Sequence, residues 1–238
     1  MSGWDRFLTE HDREIAAQAG YGARMGLGGN VAVLLIDATY LFCGDPGLSE
    51  AESLALYRNS CGPAAWRAVE AMAGLAAAAR ERGLPVVYTR PVRPRPDGLN
   101  RGRWLDKNRR GREDMKPAPR AFDIVDPITP APTDVVLDKE KPSAFFGTPL
   151  AAYLTDWGVD SLLVGGGVTS GCIRSTVLDA FSLNYRVGVV QELTFDRIEA
   201  SHWINLFDLD QKYADVIGLA EAHDYVARAG EGPFHAAA

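Results

Sequence analysis

Apolar and polar positions fall in blocks along this chain, and the blocks alternate in type. Residues 30–37 (NVAVLLID) form a continuous apolar run closed by a carboxylate, the pattern of a strand buried on both faces. Residues 62–82 (GPAAWRAVEAMAGLAAAARER) predict a helix, with Pro63 suited to its first turn and Gly83 to its stop. Strand signals recur at 84–90, 134–138, 161–166, 186–192 and 215–219, and helix signals at 148–158, 170–184, 200–209 and 221–230. The Pro- and Arg-rich stretch 91–132 predicts mostly loop, with one short strand at AFDIV (121–125). Strands alternating with helices predict right-handed crossovers and a parallel sheet layered between helices. No repeat or linker divides the chain. It therefore reads as one α/β domain over residues 26–238, preceded by an N-terminal arm (1–25) suited to docking on a neighbouring subunit.

Composition narrows the setting. With 238 residues and 47% hydrophobic content the chain can bury a sizeable core. No run is apolar enough to span a membrane, and the first twenty residues are charged throughout. Three cysteines make no disulfide framework, which fits a reducing compartment, and the cytoplasm is the expected location. A net charge of −6 argues against nucleic acid or anionic lipid as the main partner, leaving a small molecule. The locally basic run 101–120 reads as a solvated insertion loop.

In an open parallel sheet, ligands gather beyond the carboxyl ends of the strands. Asp37 ends the first strand, Asp138 and Lys139 end the third, and the fourth runs through GGGVTSG into Cys172. A carboxylate, an ammonium and a thiol thus arrive at one edge. Cys172 falls where a helix should start, so N–H groups and the helix dipole are expected to lower its pKa and to hold an oxyanion. Locally, it reads equally well as a small buried hydrophobe. Cys61 also precedes a helix but is aimed by no strand, and Cys43 reads as packing. Lys139 and Lys141 are both candidates for the cation, and spacing does not choose between them.

VLLIDATYLF, DKEKPSAFFGTPL and GGGVTSGCIRSTVLDAFSLNYRV resemble, in order and spacing, the signature blocks of the isochorismatase-like cysteine hydrolases. TSGCIR, QELTFDR and HWINLFDLDQKYADV are similar to the branch of N-carbamoylsarcosine and maleamate amidases. The resemblance covers about residues 20–220. It implies a three-layer α/β/α, Rossmann-like fold on a six-stranded, mainly parallel sheet, and an Asp37–Lys139–Cys172 triad. The lysine choice follows because family members place it four residues before the serine that here is Ser143. It further implies a cis peptide at Gly167–Val168, an oxyanion held by the N–H groups of Val168 and Cys172, and attack of the thiolate on an amide or ureido carbonyl through a thioester. Arg197 matches an arginine that binds a substrate carboxylate; His202, Thr169 and Phe42 join it as candidate pocket residues. Relatives are commonly homodimers or homotetramers.

Departures from relatives shape the rest. Nicotinamidases hold a metal with Asp/His/His near the second strand, where this chain has YTRPVRPRPDG, and its four histidines are not paired at ligand spacing; no metal or other cofactor is expected. Isochorismatase proper lacks the cysteine, which disfavours vinyl-ether cleavage. Stretch 91–116 follows the family only loosely, leaving open another amide, a hydrazide or an ester as substrate. A reading of another class, a non-catalytic protein whose GGGVTSG turn cradles phosphate, has neither a GxGxxG fingerprint nor a P-loop lysine behind it.

Overall fold

The computed structural model describes residues 3–104, 106–107 and 118–229. Six parallel strands, β1 (Val31–Ile36), β2 (Val86–Pro91), β3 (Val135–Lys139), β4 (Ser161–Gly167), β5 (Arg186–Phe195) and β6 (Asp215–Ile217), make one sheet in the order β3-β2-β1-β4-β5-β6. β1 is wholly buried and feeds two cores, because successive side chains leave a strand on opposite faces. Val31, Val33 and Leu35 pack with helix α4 (Pro63–Glu81) and with Ala222 and Val226 of α8 (Leu219–Arg228). Ala32, Leu34 and Ile36 pack on the other side with α5 (Leu150–Asp156), α6 (Arg174–Ser182) and α7 (Glu199–Lys212). This is the three-layer α/β/α architecture.

Several local expectations shift. The segment predicted as a helix over 170–184 opens instead as a π-turn, Thr169–Ile173, before α6 begins. β5 runs beyond 192 to Phe195, with an irregularity in its pairing to β4 between Val164 and Gly166. No strand forms at 121–125. Ile124 makes an isolated antiparallel bridge to Thr39, while Tyr40 and Leu41 donate backbone bonds to Asp123 and Ala121. Helices α1 (Glu10–Ala19), α2 (Tyr40–Cys43) and α3 (Glu50–Leu56) were not foreseen. α1 and α3 start on reciprocal capping boxes, Thr9 with Asp12 and Ser49 with Glu52, a signal present in the sequence.

The N-terminal segment lies against its own chain: the Trp4 ring meets Phe207, Arg6 pairs with Glu199, and the Met25 and Gly26 amides donate to Asp215. Of the basic run 101–120, residues 105 and 108–117 lie outside the described residues. No helix among the described residues is long and apolar enough to cross a membrane.

Candidate active site

β1 and its neighbour β4 flank the point where the strand order turns back, with β2 succeeding β1 on one side and β4 on the other. A ligand crevice is expected there. A cavity of about 640 Å³ opens at that edge, with Asp37, Lys139 and Cys172 among its lining residues.

Asp37 follows β1 with a left-handed backbone (φ 52), a conformation that aspartate tolerates better than most residues. Its amide donates to the Thr89 carbonyl and the Thr89 hydroxyl donates to Oδ1 at 2.8 Å, so the neighbouring strand fixes the carboxylate. Oδ2 has no aligned hydrogen-bond donor and meets the Lys139 ammonium as an ion pair at 2.6 Å. Both side chains are sealed from solvent, 1% and 3% exposed. Lys139 Nζ also reaches the Lys141 carbonyl at 3.1 Å and the Cys172 sulfur at 3.4 Å. Lys141, the other candidate, lines the same cavity.

The electrostatics correct one expectation. The Cys172 thiol is pushed up to about 12, first by burial and then by the Asp37 carboxylate, while Lys139 pulls it down less strongly. A dipole at a helix start does not prevail here, because the thiol sits on a π-turn in a desolvated pocket beside an anion. For Lys139, burial opposes the charge but Asp37 and Cys172 outweigh it and hold the ammonium above its ordinary value. The resting thiol is therefore protonated near neutral pH, beside a carboxylate that can receive its proton. Thiolate content should climb with pH, so alkylation of Cys172 by iodoacetamide, corrected for a Cys172→Ala control, is expected to accelerate through pH 10. An ordinary thiol, with a pKa of about 8.5, would plateau near pH 9.5; such a plateau would contradict this environment.

The glycine turn is a packing device. Gly166 has φ 117, and a Cβ there would lie 2.0 Å from the Ile36 carbonyl oxygen; a Cβ on Gly167 would lie 2.1 Å from the Phe195 ring. These glycines let β4 close on β1 and β5, and they are buried rather than open to a phosphate. The Gly167–Val168 peptide is cis, and Val168 lines the cavity with Gly171 and Cys172.

Phe42 and Arg197 reach the cavity wall. The Arg197 guanidinium donates to the Asn59 carbonyl, and its Nε is buried without an acceptor. Thr169 and His202 lie outside the lining and pair with each other, Oγ1 to Nδ1 at 2.8 Å. Burial holds the His202 imidazole below its usual pKa, against the pull of Asp196 and Glu199. Cys43 and Cys61 are buried away from the cavity, with burial raising both thiols and Cys61 reaching about 12. Among the described residues no group of three or more His, Cys, Asp or Glu side chains could hold a metal ion.

Sequence reasoning missed Thr89, the brace of Asp37, and Asp196. The Asp196 carboxylate accepts from the Ser170 amide and hydroxyl through Oδ2 and from the Arg197 amide through Oδ1. One aspartate thus ties the turn that carries Cys172 to the arginine across the cavity. Its signal was its place at a strand end, next to Arg197.

Comparison with known proteins agrees with this geometry. Residues 31–221 match the isochorismatase domain. The chain is 37% identical over 207 residues to maleamate amidohydrolase of Pseudomonas putida, covering 86% of this chain and 91% of that one. It is 33% identical over 212 residues to N-carbamoylsarcosine amidase of an Arthrobacter species, covering 87% and 75%. The fold matches a cysteine hydrolase from Pseudomonas syringae with a TM-score of 0.72 at 23% identity, over 84% of this chain and 93% of that one. Matched along most of its length in both sequence and fold, the chain belongs to the isochorismatase family.

Proposed function

We propose that this chain is a cysteine amidohydrolase that releases ammonia from a small, carboxylated linear amide or ureido compound. One observation carries the reading: a buried ammonium 2.6 Å from a carboxylate and 3.4 Å from a thiol, at the lining of a ligand-sized cavity. Asp37 takes the Cys172 proton as sulfur attacks the carbonyl carbon, and Lys139 keeps the site's charge balanced. The N–H groups of Val168 and Cys172 hold the oxyanion. Asp37 then protonates the departing nitrogen, ammonia leaves, and Asp37 accepts a proton from the water that cleaves the thioester. Amide and water become carboxylate and ammonia along a route that draws on no metal. Both curated relatives named above are amidases by name, which supports the reaction class.

Arg197 is the seat proposed for the substrate carboxylate, since its planar fork can grip two oxygens and its Nε lacks an acceptor. Arg197→Ala should raise KM for a carboxylated amide by roughly tenfold or more, and for its neutral analogue far less. Equal changes for the two would remove that role. The deciding experiment is an ammonia-release screen over maleamate-like amides and carbamoylated amino acids, with mass spectrometry for an acyl group on Cys172. Turnover without any such adduct after rapid acid quench would argue against the thioester. The reading extends to a homodimer or homotetramer working in the cytoplasm, and light scattering on the purified chain tests the assembly.

A further inference from the structure

The π-turn that carries Cys172 gets no side-chain cap from Val168 at its head. The amides of Gly171 and Ile173 are spent on the Val168 carbonyl. What holds the turn from outside is the end of β5. The Thr169 hydroxyl donates to the Phe195 carbonyl at 3.2 Å, and a hydroxyl carries one proton, which leaves the His202 imidazole to donate to Thr169. One residue further along, Asp196 accepts twice on Oδ2, from the Ser170 amide at 2.9 Å and from the Ser170 hydroxyl at 2.6 Å. Its Oδ1 accepts from the Arg197 amide at 2.8 Å. Each oxygen thus serves a different neighbour, Oδ2 the nucleophile's turn and Oδ1 the arginine. The carboxylate is 8% exposed, so these charge-assisted bonds are sheltered from water.

We infer that Asp196 is a positioning residue, which holds the turn of Cys172 in register with Arg197 so that a substrate gripped by its carboxylate meets the sulfur in line. This rests on the reading that the cavity is the substrate site of an amidohydrolase with Arg197 as the carboxylate seat. Asp196 is not among the residues that line the cavity, and it acts through Ser170 and Arg197, which are. An offset of about 1 Å between reacting groups can cost on the order of 100-fold in rate, so a loosened strap is read in kcat.

Asp196→Asn separates the two tasks. Its amide oxygen can still accept from Arg197, while its NH₂ meets the Ser170 N–H, donor against donor. For a carboxylated amide, kcat should fall roughly 10- to 100-fold, and KM should stay within about threefold because the arginine keeps its seat. Freeing the turn also lets water reach the thiol, and burial is the first cause of its raised pKa. Iodoacetamide should therefore alkylate Cys172 about threefold or more faster than in wild type near neutral pH. Ser170→Ala keeps the carboxylate and loses only the 2.6 Å contact, so it is the gentler probe if the first variant folds poorly. Its kcat should drop about threefold or more with KM again spared, and the double variant should lose less than the product of the single losses. A kcat within about threefold of wild type in both variants would overturn the role, as would a KM that climbs as steeply as kcat falls, the mark of general loosening. Faster alkylation in the variant of an enzyme that releases ammonia from no amide would sink the hydrolase reading and leave the strap standing. Ammonia release by the wild type, with kcat and alkylation unmoved in both variants, would do the reverse.

Discussion

A Cys172→Ala enzyme is expected to release ammonia on the order of 10⁴- to 10⁶-fold more slowly than wild type, since in the proposed mechanism the nucleophile and its base act as one unit. What survives would come from the cavity's grip on the substrate and from the proposed oxyanion donors near Val168. The fold should hardly notice the change: Cys172 sits on the π-turn after β4, and the glycines of β4, not its sulfur, let the strands close. Thermal melting of the variant therefore separates chemistry from folding. A loss of less than about tenfold, in a protein that melts like wild type, would remove Cys172 from its role. Cys172→Ser is informative beside it, because a hydroxyl is even harder to deprotonate than this burdened thiol.

Lys139→Met should damage both activity and stability. It leaves the Asp37 carboxylate buried without its counter-ion, and breaking one side of such a pair costs about 3–5 kcal/mol. For a domain of this size that is a fall in melting temperature of about 6–20 °C. Removing Lys139 also takes away the charge that draws the thiol pKa down, so less thiolate forms at any given pH. The double variant Asp37→Asn, Lys139→Met has no buried charge left to compensate. It should recover most of the lost stability and none of the activity, the non-additivity expected of residues in contact. If Lys139→Met alone melts with wild type, the ammonium is not what keeps the carboxylate buried.

Much of the frame was legible in the residue pattern because burial on two faces leaves so plain a mark. β1 is unbroken apolar sequence, and its closing aspartate stands out for that reason. The choice between Lys139 and Lys141 was not legible from spacing. Residues two apart on an extended chain lean the same way, and both do reach the cavity. Only the match to the family's blocks distinguished them. The thiol's pKa was misjudged because position at a helix start is visible in a sequence, whereas desolvation depends on everything packed around it. Thr169 and His202 carry pocket-like chemistry, yet they satisfy each other behind the wall. α1 went unseen because it buries none of its residues, so no apolar stripe announced it; its cap was the sole cue. The extension of β5 depends on Leu193 and Phe195 packing over Gly165 and Gly167, a pairing between distant segments that no local pattern reveals.

The three proposed catalytic groups do not share the same security in the sheet. Asp37 follows the innermost strand and Cys172 the strand beside it, whereas Lys139 closes β3, a five-residue strand at the border, partly open to solvent and paired on one side only. Borders fray at lower free energy than interiors. Opening β3 would withdraw the ammonium while the other five strands stayed folded. The enzyme's working lifetime on warming would then be set by the detachment of one short ribbon, and activity should vanish at temperatures where its far-ultraviolet dichroism is still native.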